Sequence, residues 1–256
     1  MKTVRNSYRC MVMVILVNLI WVFVANADES TLFMDHIKGY TVGEQYFDVN
    51  SDVVRSQYNG GNTRVYSSKN SWSLTPPDQF SEIQSGSYGN YTTIAVTNQT
   101  SNHRYGQVGV LLGKNRLIWV RLALFDINNA SFPSDAGRST NTGPDLLWDV
   151  NYLFRYYSNG SMTTMTTRYD VPEFHYLNIN YDLQLDTYEV WYDKTRIIDS
   201  VAFNNELETI ESLAIGGAYW GASNYAALDY WHWKVSDTTP FTSHIVPPAG
   251  TIIVVQ

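Results

Sequence analysis

The sequence contains one cysteine, Cys10, and it lies in a segment that we expect to be removed during export. The protein that remains then has no disulfide, so a hydrophobic core must hold its fold together. An apolar fraction of 44% in a chain of 256 residues is enough for such a core. Because the sequence also lacks two histidines at ligand spacing, it argues against a zinc site.

Basic residues are few. The chain has 17 Lys and Arg residues against 24 Asp and Glu residues, which gives a formal net charge of −7. The first 27 positions hold three of the basic residues and none of the acidic ones. Residues 28–256 therefore carry 14 basic and 24 acidic residues, a net charge of −10. This balance argues against a nucleic-acid partner and against adhesion to acidic membranes. It leaves an acidic polysaccharide open, because a net acidic protein can contain a local basic groove.

The N-terminus has the three parts of a secretory signal peptide. A basic start precedes an apolar run from Cys10 to Val24, and the small residues Ala25 and Ala27 follow it. The apolar run has 15 residues, fewer than the ~20 that span a bilayer. We expect cleavage after Ala27, with an uncleaved anchor as the alternative. The product would be a secreted protein, in the medium, at a cell surface or in a periplasm, with 28–256 as one domain.

Convincing helical periodicity is absent from the sequence, and its best candidate, Asn204–Ala214, would form one or two turns. Aromatic residues are abundant, with 19 Tyr and 8 Trp, and they favour strands. Strand-like runs recur between clusters of Gly, Asn, Asp, Ser and Pro. The longest irregular stretch, Asn128–Asp145, has a length that is uncommon for loops without a function. This rhythm predicts an all-β, two-sheet antiparallel sandwich. The predicted strands are Gln45–Val49, Val53–Tyr58, Thr63–Ser68, Tyr91–Thr97, Tyr105–Gly113, Arg116–Asp126, Leu146–Tyr157, Met162–Asp170, Phe174–Leu183, a hairpin within Asp186–Ile197, Ser212–Gly217, Ala227–Val235 and Thr251–Val255.

The C-terminal third carries a family pattern. In "FHYLNINYDLQLDTYEVWYDKTRI", which begins at Phe174, a strand that ends in Tyr-Asp precedes a short break and an aromatic hairpin. The segments "SLAIGG" and "ALDYWHWKV" continue the pattern. From about Pro172 to Val235 the chain resembles the concanavalin A-like lectin/glucanase superfamily, in its laminin-G-like form. The resemblance implies a jelly roll. The sequence departs at Lys194, where Gly is usual, and a type I′ turn strains a non-Gly residue there. We therefore expect a longer connection, or a type I turn with a bulge.

Alternation along the strands assigns side chains to faces. In Arg116–Asp126, every second residue from Ile118 to Leu124 is apolar, so we expect this face to form the core. Trp119 and Arg121 lie on the opposite face. The same reasoning applied to Leu146–Tyr157 and Phe174–Leu183 leaves polar and aromatic residues on the outer side. If these outer faces belong to the concave sheet of a jelly roll, they line one groove that could stack and hydrogen-bond sugars. The alternative is a set of ordinary solvated strand residues. The candidate ligand-binding residues are Trp119, Arg121, Asn151, Arg155, Tyr157, Tyr176 and Asn178.

The superfamily contains lectins, carbohydrate-binding modules, glycosidases and polysaccharide lyases, so the fold does not decide the activity. We expect a protein that binds a polysaccharide or glycan. The alternative is a lyase that cleaves a uronate polymer, which needs a base, an acid and a group that neutralises the carboxylate. The residue types for a lyase occur at Arg121, Arg155, Tyr157, Tyr176, His103 and His232. The glutamates of "ELETIE" (Glu206, Glu208 and Glu211) are predicted to form a solvated helical turn and not a glycosidase site.

We expect a monomer with either no cofactor or a structural calcium ion. Jelly rolls often hold such an ion, and two segments offer oxygen ligands, Phe125–Asn129 and Asn180–Asp186. Turn chemistry is the alternative reason for their Asp and Asn residues.

The signal-peptide prediction is tested by the mass of the exported protein. We expect a mature N-terminus at Asp28, because Ala25 and Ala27 occupy the positions that signal peptidase recognises. Replacement of Ala27 by Arg should block this cleavage, and intact-mass spectrometry would detect it. A mature protein that still contains Cys10 would contradict the prediction.

Overall fold

The computed structural model describes residues 29–37, 39–46, 53–55, 65–66, 80–84, 91–96, 102–114, 118–125, 142–169, 174–219 and 225–242. The predicted signal peptide and C-terminal strand lie outside these residues, as do positions 128–141 of the long irregular stretch and most of the first predicted strand. Within the described ranges, no helix is long and apolar enough to cross a membrane.

Fifteen β-strands form the regular structure of the described residues. They confirm the all-β prediction, although β1 and β4 had no counterpart among the predicted strands. The strands are β1 (Ser30–His36), β2 (Val53–Arg55), β3 (Val65–Tyr66), β4 (Phe80–Gln84), β5 (Tyr91–Val96), β6 (Tyr105–Lys114), β7 (Ile118–Phe125), β8 (Thr142–Trp148), β9 (Leu153–Ser158), β10 (Ser161–Arg168), β11 (His175–Asp182), β12 (Thr187–Tyr192), β13 (Thr195–Ala202), β14 (Ser212–Tyr219) and β15 (Tyr225–Ser236).

The strands form two antiparallel sheets. In sheet I the order is β13-β12-β11-β6-β15-β4-β3, and β1 pairs with β15 beside β4. In sheet II the order is β10-β9-β8-β7-β14-β5-β2. Neighbours in space are often distant in sequence, as with β6, which lies between β11 and β15. This is the predicted two-sheet antiparallel sandwich.

The core lies between the inner faces of the two sheets. Sheet II contributes Ile118, Val120, Leu122 and Leu124 from β7, which confirms the predicted inner face of that strand. Sheet I contributes three apolar residues of β6 (Val108, Val110 and Leu112), together with Leu177, Ile179 and Tyr181 of β11. Alternation places the intervening residues of each strand on its outer face.

The predicted strand Leu146–Tyr157 is wrong as a single element. A turn at Asp149–Tyr152 divides it into β8 and β9. The Asp149 carboxylate accepts hydrogen bonds from the amides of Asn151 (2.7 Å) and Leu153 (3.0 Å), which stabilises the reversal. Tyr152 has φ +62° in this turn. The alternation of apolar residues continues through the turn, and this continuity concealed the break in the sequence.

The hairpin between β12 and β13 has a two-residue connection, because Tyr192 pairs with Thr195. The prediction of a longer connection is therefore wrong. A positive φ of 51° falls on Asp193 and not on Lys194, which excludes type I′ and fits a turn that needs positive φ at its first position only. The Asp193 carboxylate accepts hydrogen bonds from the Tyr176 amide (3.0 Å) and is 2.8 Å from His175 Nδ1.

The segment Asn204–Glu211 is not helical. Its backbone instead anchors the start of β8, since the amides of Asn204 and Asn205 donate to the carbonyls of Gly143 and Thr142, each at 3.0 Å. The predicted helical turn is therefore wrong, because tertiary hydrogen bonds replaced the local ones. Glu206 and Glu208 are exposed, as expected of solvated glutamates.

Lys114, at the end of β6, is a buried cation that joins the two sheets. Its ammonium group donates to the carbonyl oxygens of Ile118 (3.1 Å) and Asp149, and lies 5.1 Å from the ring centroid of Trp148. Burial lowers the pKa of Lys114 to about 7, and attraction by Asp149 opposes this shift only in part.

The lowered pKa of Lys114 predicts a pH-dependent stability. Between pH 7 and its ordinary value of 10.5, Lys114 holds a proton in the unfolded chain and not in the folded one, so the free energy of unfolding should rise with pH. We expect a gain of about 2 kcal/mol from this group between pH 7 and pH 9, measured by urea unfolding.

The variant Lys114→Met should lose this gain, whereas Lys194→Met, at the exposed hairpin turn, should keep it. Equal pH dependence in wild type and Lys114→Met would contradict the assignment.

Candidate functional site

The seven candidate residues do not form one surface. Trp119 and Arg121 lie on β7, and Arg155 and Tyr157 on β9, all in sheet II. Two further candidates, Tyr176 and Asn178, lie on β11 of sheet I, and Asn151 is in the exposed turn between β8 and β9. The outer faces of the two sheets of a sandwich point in opposite directions, so the prediction of a single groove lined by all seven is wrong. A role of individual members in binding stays a prediction.

Arg121 and Arg155 of sheet II are paired with carboxylates. Arg121 binds Asp145 through two nitrogens, with Nε 2.8 Å from Oδ1. Arg155 binds Asp149 in the same way, with Nε at 3.0 Å and NH2 at 2.8 Å from Oδ2.

Arg121 and Arg155 also lie beside aromatic rings. Arg155 Cζ lies 5.2 Å from the ring centroid of Trp119, and Arg121 Cζ lies 5.7 Å from that of Tyr157. The structure therefore brings four of the candidate residues together in two pairs, Arg155 with Trp119 and Arg121 with Tyr157.

Burial indicates that the pair Arg121–Asp145 is structural. Arg121 is 7% exposed and Asp145 is fully buried. Asp145 also accepts a hydrogen bond from the Thr142 hydroxyl (3.0 Å), and Asn204 donates to that hydroxyl (2.9 Å). A ligand carboxylate would have to compete with this network for the guanidinium, so Arg121 is a poor candidate for ligand binding.

The outer face of sheet I has a different character. On β11, Tyr176, Asn178 and Asn180 alternate with the core residues, as the sequence predicted. Strand pairing places Asn180 beside Gln107 of β6 and Glu189 of β12. Gln107 and Glu189 were not among the candidate residues. The alternation in "YGQVGVLLG" and "TYEVWY" predicts that both side chains point outward.

A chain of hydrogen bonds crosses this face. Gln107 Nε2 donates to Asn180 Oδ1 (2.7 Å), and Asn180 Nδ2 donates to Glu189 Oε1 (2.8 Å). The indole N–H of Trp191 donates to the same oxygen (2.8 Å), and Arg196 NH1 donates to Glu189 Oε2 (3.2 Å). The chain holds the carboxamide and the carboxylate in fixed orientations. Since a carboxylate offers about four acceptor positions, Glu189 keeps capacity for a further donor.

A cleft of about 240 Å³ lies over Asn180 and Glu189. Asp182 is at its edge, held by a bidentate ion pair with Arg104 (NH2 to Oδ2, 3.1 Å). Residues 240–242 form the opposite wall. The cleft thus has a polar floor and a wall that includes Phe241. Its lining residues are Tyr105, Asn180, Tyr181, Asp182, Thr187, Tyr188, Glu189, Arg196, Ser200, Pro240, Phe241 and Thr242.

The wall of the cleft is tethered to the loop before β6. Asp237 Oδ2 lies 2.9 Å from His103 Nδ1, and Asp237 Oδ1 accepts from the Arg104 amide at 3.2 Å. The hydroxyl oxygen of Ser236 accepts from the amides of Thr238 (3.3 Å) and Thr239 (3.0 Å). These contacts hold the chain where it turns back over the sheet.

Burial perturbs the titratable groups farther along this face. It raises the pKa of Tyr176, with a smaller contribution from Asp229 and Asp193, and it raises the pKa of Tyr230 to about 12. Burial, followed by repulsion from Lys234, lowers the pKa of His232 to about 3. At neutral pH the imidazole is therefore uncharged and both phenols are protonated.

The expected calcium ligands of Asn180–Asp186 have other partners. Asp182 binds Arg104 and the amides of Gln184 and Leu185, and Asp186 Oδ1 accepts from the Leu207 amide (3.3 Å). The second expected segment lies outside the described residues after Phe125. The described part of the chain contains no group of three or more acidic, His or Cys side chains that could hold a metal ion. Calcium binding stays a prediction.

Solved structures establish the class of fold. Peanut lectin, in complex with a nine-residue peptide, is 11% identical in sequence to this chain, with coverage of 85% of this chain and 100% of the lectin, at a TM-score of 0.52. The carbohydrate recognition domain of Emp47p is 11% identical over 82% of this chain and 98% of that domain, at a TM-score of 0.51.

A sialidase is also similar, but this chain spans only 16% of it, at a TM-score of 0.48 and 11% identity, too low to carry an argument. No protein-family model matches the sequence, and no curated protein matches it significantly. The chain has the concanavalin A-like jelly-roll fold of these lectin domains, which confirms the predicted resemblance at the level of fold.

The assignment of Arg121 to the structural network predicts a large loss of stability on truncation. Arg121→Met leaves the Asp145 carboxylate buried without its partner, and we expect a loss of about 3–5 kcal/mol in the free energy of unfolding, measured by urea.

The double variant Arg121→Met with Asp145→Leu should recover part of this loss, because it removes both charges. Arg168→Met, on exposed β10, is the control and should change stability by less than about 0.5 kcal/mol. Wild-type stability in Arg121→Met would contradict the structural assignment.

Proposed function

We propose that this protein binds a carbohydrate in the cleft on the outer face of sheet I. The observation that carries the proposal is the orientation of Asn180 and Glu189 at the floor of that cleft. Gln107, Trp191 and Arg196 hold both side chains through hydrogen bonds before any ligand arrives. Preorganised acceptors and donors of this kind suit the hydroxyl groups of a sugar, because little side-chain freedom is lost on binding.

The chemistry of the cleft suits a sugar in two further respects. Tyr105 and Phe241 supply aromatic surface for the apolar face of a pyranose ring. Glu189 supplies a carboxylate with capacity for a further strong hydrogen bond from a hydroxyl group. The Emp47p neighbour is described as a carbohydrate recognition domain, which agrees with this use of the fold.

The lyase alternative has less support. A catalytic base works best with a pKa near the working pH. On this face the pKa of His232 is about 3, and burial raises the pKa values of Tyr176 and Tyr230, which keeps both phenols protonated. The two arginines expected to neutralise a uronate are bound to Asp145 and Asp149. We therefore propose a binding protein without lyase activity.

Export belongs to the same proposal. A signal peptide that ends at Ala27 would deliver the domain to a compartment where it meets extracellular glycans. The expected monomeric state fits a domain that works through one cleft.

Binding is tested on an array of neutral and uronate-containing oligosaccharides, followed by calorimetry with the oligosaccharide that gives the strongest signal. We expect wild type to bind and Glu189→Gln to bind at least tenfold more weakly, because the amide has one oxygen where Arg196 and a sugar hydroxyl need two. Glu208→Gln, which makes the same change at an exposed site, should bind as wild type.

Two results would contradict the proposal. One is the absence of binding by wild type across the array. The other is an unsaturated product, detected by ultraviolet absorbance when the protein is incubated with alginate or another uronate polymer, which would restore the lyase alternative.

A further inference from the structure

Two buried polar side chains beside the cleft lack a hydrogen-bond partner within the described part of the chain. They are Asn178 of β11 and His232 of β15, and both are 0% exposed. The carboxamide oxygen and nitrogen of Asn178 and both ring nitrogens of His232 lack a partner among the residues that the structure describes. Buried polar groups are nearly always satisfied in folded proteins, so a cluster of four such atoms requires an explanation.

The two side chains meet over a glycine. Asn178 and His232 both pair with Gly109, on the two sides of β6. A side chain at Gly109 would overlap with Asn178 Oδ1 and His232 Cε1. The absence of a side chain at this position therefore brings two polar groups from strands 54 positions apart in the sequence together over the backbone of β6, a place that we call the recess.

The recess adjoins the cleft. Asn178 lies two residues from Asn180 on the same face of β11, and Trp191 pairs with Asn178 across to β12. The Trp191 indole in turn donates to Glu189 Oε1, an atom of the cleft floor. Asn178 of the recess and Asn180 of the cleft are thus successive outward residues of β11, on the same face of sheet I.

We propose that Asn178 and His232 form a second subsite, which receives hydroxyl groups of the sugar unit next to the one bound in the cleft. This inference rests on the proposed carbohydrate binding and deepens it, since it names an oligosaccharide chain as the ligand, not a single sugar. Neutral imidazole and carboxamide groups each offer donors and acceptors, which match hydroxyl groups and not a carboxylate or an ammonium ion.

The subsite is closed in the free protein, because both side chains are fully buried. Residues over the recess must move before a ligand enters it. We therefore expect association of an oligosaccharide to be slower than that of a single sugar, since a conformational change limits the rate.

The decisive variants are Asn178→Leu and His232→Leu, tested separately and together. Replacement of unsatisfied buried polar groups by apolar groups of similar size is neutral or stabilising when the groups serve no structural hydrogen bond. We expect melting temperatures equal to or above that of wild type, together with at least tenfold weaker binding of the array's strongest tetrasaccharide. Affinity for the corresponding monosaccharide should stay within twofold of wild type.

Other outcomes separate this inference from the proposed function. If wild type binds no saccharide, both fail. If wild type binds and Glu189→Gln weakens binding, but Asn178→Leu and His232→Leu bind the tetrasaccharide as wild type does, the second subsite fails and the cleft stands. If the Leu variants melt several degrees below wild type, the two residues are structural and the subsite is overturned. Equal affinity of wild type for monosaccharide and tetrasaccharide would also overturn it.

Discussion

Burial of the inner faces of the two sheets against each other is the constraint on which the other features of this protein depend. Val108 and Val110 of β6 and Ile118 and Val120 of β7 belong to one core, and the alternation of strands then directs every second side chain away from it. This places Gln107 and Gly109 on one surface of the molecule and Trp119 and Arg121 on another. The polar chemistry of the protein is thus divided into two separate faces before any ligand is considered.

The two faces use their polar groups differently. On sheet II, Arg121 and Arg155 are matched with Asp145 and Asp149, so charge is neutralised within the protein. On sheet I, the chain of hydrogen bonds from Gln107 through Asn180 to Glu189 ends at a cleft, and Asn178 and His232 have no hydrogen-bond partner among the residues that the structure describes. Unsatisfied or preorganised groups next to a concave surface are expected of a binding site, whereas matched ion pairs are expected of a scaffold. This difference is the reason that we propose ligand binding on sheet I.

Much of the fold could be predicted from the sequence, because most strands contain the alternation that reveals them. The failures have two physical causes. The turn at Asp149 was concealed because apolar residues continue through it, and the segment Asn204–Glu211 was expected to be helical because its partners in β8 are distant in the chain. For the site, the alternation correctly predicts the outward direction of Tyr176 and Asn178, but it does not reveal the ion pair that Arg121 forms with Asp145. Its partner Asp145 lies 24 positions away and in the part of the chain that was expected to be an irregular stretch.

The class of fold and the inward or outward direction of side chains along the strands could be read from the sequence, because both follow from a local period of two residues. The sequence also shows that the single cysteine, Cys10, lies within the predicted signal peptide, so residues 28–256 contain no cysteine. Which outward residues meet depends on the tertiary structure. The order of strands in a sheet is set by packing over the whole chain, and it places β6 between β11 and β15. This order unites Gln107 with Asn180 and brings Asn178 and His232 together over Gly109, and no local pattern contains that information.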